Sequence, residues 1–267
     1  MKEKLLVCDL DGTLLDDNGE IDSFSLNEIK DFCERGGNFV ICTGRLDQDI
    51  EYVEEHLGFK GSYRISQNGA VIKNRQGENL LIEEIPGDTI KELNRIFFNS
   101  QLRTEVSDYK NRYFPSPRAP EEVAEFIDTS IIVENLEDFV AHKINPLIYL
   151  TFGTHVDFES LEEQIKVSVG NKVTTVRTSS SSFEVFSNKV SKGNAVAYVM
   201  KQLEVEAGDV YVAGDAENDI SMFSVTNNSF AVRKASNQVK RTANHYVVTV
   251  GELVRKYILG KEVGGNE

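Results

Sequence analysis

Positive charge is what this chain is short of. Its 267 residues carry 29 Lys and Arg against 43 Asp and Glu, a formal net charge of -14. A general nucleic-acid binder needs a basic face, so the balance argues against that class and against docking on anionic membranes. An anionic substrate must be drawn in by local cations against the overall field. Cysteine is scarce too. Cys8, Cys33 and Cys42 are odd in number and widely spaced, which gives neither a disulfide framework nor a zinc pattern. Reduced thiols in a cytoplasm are expected, with Cys8 and Cys42 acting as small hydrophobes inside apolar runs. The four histidines, His56, His142, His155 and His245, are scattered, which argues against a histidine metal site or histidine catalysis. No apolar run approaches the length of a membrane span. The N-terminal run is stopped by Asp9, so no signal peptide is expected.

The rest of the composition is that of a soluble globular protein, 40% hydrophobic and 27% charged, long enough for one large domain or two smaller ones. Leu5-Leu6-Val7-Cys8 reads as a buried strand. A helix follows over 26–33, ended by Gly36-Gly37, then a strand at 39–42, a helix over 50–57 and a strand at 63–66. Asn68-Gly69-Ala70 reads as a turn between extended segments. This alternation builds a parallel sheet covered by helices. Near Ile82 the pattern changes to paired strands and clustered helices, an α+β insert. Three of the five prolines fall in a loop at 115–120, and the serines at 179–182 form a plausible loop before the chain returns. After Ser187 the alternation resumes, with a helix from Ala195, a strand at 210–213, a helix at 219–223, a strand at 230–232 and helices near 238–243 and 252–259. Residues 264–267 read as a frayed end.

Three core strands end in polar residues of one kind. The first gives Asp9 and Asp11, the second Thr43, Gly44 and Arg45, and a later one Gly214-Asp215-Ala216-Glu217-Asn218-Asp219. In open parallel sheets the ligand crevice lies at the carboxyl ends of the strands, where all of these converge, with Lys192 in reach. Each has a plainer reading. Asp9 and Asp11 suit an acidic turn, Thr43-Gly44 an ordinary strand-to-helix turn, Lys192 a solvated surface, and Asp219 a helix N-terminus. Arg45 reads equally as a substrate ligand or as a partner of Asp47 or Asp49. Convergence favours the functional reading.

The combination resembles the haloacid dehalogenase superfamily. Asp9-Leu10-Asp11-Gly12-Thr13 is similar to its first motif, Thr43 to the second, Lys192 in Ser191-Lys192-Gly193 to the third, and Gly214-Asp215 through Asn218-Asp219 to the fourth. The insert, Asn68-Gly69-Ala70 and Glu217-Asn218-Asp219 resemble Cof-type phosphatases with a type IIB cap. The resemblance implies an α/β fold: a Rossmann-like parallel-sheet core, residues 1–82 and 187–267, with an inserted mobile α+β cap domain, residues 83–186. It implies a Mg²⁺-dependent phosphatase of small phosphorylated metabolites, sugar phosphates first, with Asp9 as nucleophile and Asp11 as general acid and base. Asp9, Asp215 and the Asp11 backbone carbonyl are the implied Mg²⁺ ligands, with Asp219 either binding the ion directly or holding the groups that do. Thr43, Gly44, Lys192, Arg45 and Asn218 are the expected phosphate and substrate contacts. The second aspartate argues against dehalogenation, since the dehalogenases resembled lack an acid there. A phosphosugar mutase and a non-catalytic phosphometabolite-binding regulator are the alternatives. A monomer or small homo-oligomer is expected.

Overall fold

The computed structural model describes residues 3–119, 123, 125–177 and 181–261. The end at 264–267, Pro120 of the proline loop and Ser179-Ser180 of the serine run lie outside them. Among the described residues fourteen strands run in chain order. They are β1 (Leu5–Cys8), β2 (Asn38–Cys42), β3 (Tyr63–Ser66), β4 (Val71–Asn74), β5 (Asn79–Ile82), β6 (Thr104–Ser107) and β7 (Arg112–Phe114), then β8 (Ile131–Ile132), β9 (Ile148–Phe152), β10 (Val173–Arg177), β11 (Ser182–Ser187), β12 (Val210–Gly214), β13 (Asn228–Val232) and β14 (His245–Val247). The helices are α1 (Ser23–Glu34), α2 (Asp47–Leu57), α3 (Gly87–Asn99), α4 (Leu136–His142), α5 (His155–Ser168), α6 (Lys192–Gln202), α7 (Ile220–Phe223), α8 (Asn237–Thr242) and α9 (Val250–Leu253). Among the described residues no helix is long and apolar enough to cross a membrane.

The first sheet has the order β14-β13-β12-β1-β2-β3-β4-β5. Pairing is parallel from β14 to β3, and β4 turns back antiparallel on β3. A parallel strand is buried on both faces and needs an unbroken apolar run, and all four residues of β1 are fully buried. The chain leaves β1 toward β2 on one side and returns to β12 on the other. The strand order therefore reverses at β1, which opens a crevice at the carboxyl ends of β1, β2 and β12. The expected C-terminal helix is α9, continued by a wider turn over Val254–Ile258. The expected helix at 219–223 is a 3₁₀ turn, Glu217–Asp219, leading into α7.

The second sheet has the order β10-β11-β9-β6-β7-β8 and is antiparallel except for the β7–β8 pair. Leu93 and Phe97 of α3, Val140 of α4 and Phe158 and Leu161 of α5 share one core with Val106, Tyr149 and Phe183 of this sheet. Two ring stacks lie in it, Phe97 on Tyr149 at 5.1 Å and Phe158 on Phe183 at 5.4 Å. Thr154 and Asp157 close a reciprocal cap on α5.

The chain divides into two compact units, residues 1–44, 53–80 and 191–267, and residues 45–52 and 81–190. The second unit thus differs from the uninterrupted insert 83–186 read from composition. Residues 45–52 join it because Asp49 Oδ1 accepts from the Phe126 N–H at 2.9 Å, Tyr52 stacks on Phe126 at 5.3 Å and Thr129 donates to Gln48 at 2.9 Å. Such side-chain pairing leaves no trace in a composition shift.

Candidate active site

Asp9 follows β1 directly, donates its N–H to the Ala213 carbonyl at 2.9 Å and is 5% exposed. β1 has ended at Cys8, so strand alternation does not govern Asp9 and Asp11. The loop folds back instead, the Leu14 N–H donating to the Asp9 carbonyl at 3.3 Å and that of Leu15 to Leu10 at 2.8 Å. Asp11 is exposed and bridges to Leu15. Gly12 sits at φ +80°, where a side chain is strained, and a Cβ there would come within 2.5 Å of Asp215 Oδ2.

Asp215 follows β12, and its Oδ1 accepts from Thr13 Oγ1 at 2.7 Å. Asp219, fully buried, accepts at Oδ2 from the N–H groups of Asp215 and Ala216, both at 2.9 Å. Lys192 opens α6, where the helix dipole disfavours a cation, and is 1% exposed. Two carboxylates compensate: its Nζ donates to Asp9 Oδ1 at 2.5 Å and to Asp219 Oδ1 at 2.6 Å. Burial works to discharge Lys192, but the Asp219 and Asp9 carboxylates outweigh it and hold the ammonium charged.

One ammonium does not balance the site. Carboxylate oxygens of Asp9, Asp215 and Asp219 lie within 4.8 Å of one another. Burial pushes the Asp9 carboxyl well above its usual range; Lys192 pulls it back only in part, and Asp219 and Asp215 push further. Burial raises Asp215 as well, against the Thr13 hydrogen bond. Crowded acids short of positive charge are the donor set of a hard divalent cation, which would relieve the repulsion.

Thr43 is buried at the end of β2. Its N–H donates to the Ile65 carbonyl and its own carbonyl accepts from the Asn68 N–H, both at 2.9 Å. A Cβ on Gly44 would stand 3.1 Å from Asn68 Oδ1. Asn218 Nδ2 donates to the same Oδ1 at 3.1 Å, and the Asn218 Oδ1 is buried with no hydrogen-bond partner. Arg45 groups with the second unit, 3.5 Å from Asp49 and with its guanidinium 4.2 Å from the Phe126 ring centroid. The structure therefore brings Asp9, Lys192, Asp215 and Asp219 into one cluster and sets Thr43, Gly44 and Asn218 around Asn68.

A family model of haloacid dehalogenase-like hydrolases matches residues 6–252. The chain belongs to that family. Among curated proteins, a putative phosphatase of Haemophilus influenzae is 24% identical over 239 residues, covering 89% of this chain and 88% of that one. Phosphatase YwpJ of Bacillus subtilis is 27% identical over 283 residues, covering 93% and 96%. Among solved structures, a subclass IIB sugar phosphatase of the superfamily has the same fold, with a TM-score of 0.77 at 18% identity over 96% of this chain and 99% of that one.

Two residues of this haloacid dehalogenase-like site carried no role in the sequence reading. Thr13 was legible only as part of a motif, yet it orients Asp215. Asn68 was legible only as a turn residue, yet it meets both Thr43 and Asn218. Gln67, Asn68 and Gly69 all have positive φ, at +51°, +57° and +101°. Such strain in non-glycine residues collects at functional sites; Asn68-Gly69 announces a turn, but Gln67 gives no sign of its positive φ.

Proposed function

We propose that this protein is a Mg²⁺-dependent phosphatase of small phosphorylated metabolites, sugar phosphates first, working through an aspartyl-phosphate. The observation that carries the reading is the buried Lys192 bridging Asp9 and Asp219 beside Asp215. The family match and the phosphatase names of the two curated relatives support the reaction class. The sugar phosphatase that shares the fold supports the substrate class. Three free thiols suit a reducing, cytoplasmic setting.

Lys192 fixes Asp9 Oδ1 and leaves Oδ2 to attack phosphorus. As the Asp9–phosphorus bond forms, the ester P–O bond breaks and Asp11 gives its proton to the departing oxygen. Asp11 then takes a proton from the water that attacks the aspartyl-phosphate, releasing phosphate and restoring Asp9. Thr43, the Gly44 N–H and the third N–H of Lys192 cradle the phosphoryl oxygens, where charge spreads in the transition state. A Mg²⁺ ion held by Asp9, Asp215 and the Asp11 carbonyl would neutralise phosphoryl charge and the crowded carboxylates. Both Asp219 oxygens are engaged by Lys192 and two backbone N–H groups, which favours a positioning role over ligation. Asn218 holds the Asn68 turn beside this cradle. Asp49 and Phe126 engage Arg45, which favours a role in holding the segment at 125–126 over phosphate binding.

Phosphate release from a panel of phosphorylated metabolites, with and without Mg²⁺, tests the reading; an isomerised ester as product would sink it. Asp9→Asn is expected to reduce turnover to background. Asp11→Asn is expected to keep Mg²⁺ binding and lose about 10²–10⁴ in kcat. Equal loss of metal affinity in both variants would overturn the division of labour.

A further inference from the structure

Beside Asp215 the first unit carries a cavity of about 410 Å³, walled by Gly12, Asp16, Asp17, Arg233 and Lys234 as well as Asp215 itself. We infer that Arg233 and Lys234 make this cavity an anion subsite that receives a second phosphoryl or carboxylate group of the substrate. The inference rests on the phosphatase reading of the neighbouring site.

Arg233 is held in place at a cost. Its φ is +49°, a conformation that side chains rarely adopt. The backbone is pinned there from both sides: its N–H donates to the Val247 carbonyl at 3.2 Å and its carbonyl accepts from the Tyr246 hydroxyl at 3.0 Å. The side chain so placed is underused. One Nη reaches Asp22 at 3.5 Å, but Asp22 already caps α1 through the Ser25 N–H at 2.8 Å and the Ser25 hydroxyl at 2.7 Å. The Nε is buried and has no acceptor. Because that Nε is buried, the donors of Arg233 that meet an oxyanion in the cavity are those on its terminal Nη atoms.

Three carboxylates line the cavity against two cations, so an anion is held there by direct contact with Arg233 and Lys234 and not by the net field. Asp16 is committed to its own turn, its Oδ1 accepting from the Asn18 N–H at 2.8 Å and the Glu20 N–H at 3.0 Å. Asp17 pairs with Lys234, and both side chains are mostly exposed, a kind of pair that contributes little and exchanges easily. Asp215 belongs to the proposed cation site. An incoming anion thus meets Arg233, and Lys234 can turn to it. Asp215 belongs both to this wall and to the acidic cluster, so the proposed subsite adjoins the site where the first phosphoryl group is held.

The test uses a matched pair of probes, fructose 6-phosphate and fructose 1,6-bisphosphate, with Mg²⁺. The wild-type protein is expected to favour the bisphosphate at least tenfold in kcat/KM. Arg233→Gly is expected to abolish that preference with Tm unchanged or raised, because glycine accepts φ +49° without strain; Lys234→Gln is expected to reduce it. Equal kcat/KM for the two probes in wild type, or a preference surviving in Arg233→Gly, would overturn the subsite. If the variants weaken inhibition by inorganic phosphate while the wild-type ratio is one, the cavity takes free phosphate and the assignment to substrate is wrong. Calorimetric binding of the bisphosphate answers separately from turnover: Arg233→Gly is expected to bind at least tenfold more weakly, and equal affinity would overturn the subsite. No phosphate release from any monoester would instead count against the phosphatase reading.

Discussion

Asn68 holds a conformation few non-glycine residues accept, with three loops meeting at it. Its N–H reaches Thr43, its Oδ1 receives Asn218, and a Cβ on the next residue, Gly69, would stand 2.6 Å from the Ser191 carbonyl. The turn therefore sets the spacing between Thr43, in the proposed phosphate cradle, and the Asp215–Asp219 loop. Replacing Asn68 with Ala keeps the strain and removes the link. A loss of about 1–2 kcal/mol in urea unfolding is expected, with a raised KM. Asn68→Gly removes the strain as well, so stability is expected to recover while KM stays high; recovery of both would show that the side chain does not position the cradle. Sequence reading reached Asp9, Lys192 and Asp215 because each stands where an apolar or helical pattern visibly stops or starts. Asn68 escaped it because its partner Asn218 lies 150 residues away, and no local pattern spans such a gap.

At the scale of elements, α6 shows how a helix start can hold a buried cation. Ser191 supplies an ordinary cap, accepting from the Asn194 N–H at 3.0 Å. The next residue, Lys192, runs against the dipole and is fixed by two acids from other loops. Removing one partner of a buried pair strands the others: Lys192→Met is expected to cost about 3–5 kcal/mol by denaturant titration. Lys192→Met with Asp219→Asn is expected to recover part of that loss without activity. An Asp219→Asn change that recovered nothing would mean that the two groups do not interact as the geometry requires. The alternating elements of the parallel sheet were readable because strands buried on both faces leave continuous apolar runs. β5 was not, since its apolar run is only Leu80-Leu81-Ile82 and the strand is exposed or half-buried.

For the whole molecule, acidity has two faces. The first unit crowds its carboxylates at the proposed metal site; the second buries Glu105 among Arg112, Arg118 and Arg103. Burial outweighs those three cations and raises Glu105 from 4.5 to about 7. A raised folded value means the native protein binds the proton more tightly than the unfolded chain. That contribution is complete below about pH 4.5 and is lost as pH rises through about 7. It amounts to up to about 3 kcal/mol. Glu105→Gln is expected to flatten the fall in stability over this window, measured by urea unfolding at several pH values; an unchanged slope would assign the fall to other groups. With two compact units, unfolding should be followed by probes in each.

The grouping of residues 45–52 with 81–190 also bears on covalent connectivity. The chain passes between the units four times, after residues 44, 52, 80 and 190, so the second unit is stitched in rather than hung from two points. Cutting out 81–190 would leave Arg45, Asp49 and Tyr52 without the ring and N–H of Phe126. A fragment of 81–190 alone would lack the helix turn against which Phe126 packs. An exchange of this unit between relatives must carry the first turns of α2 with it.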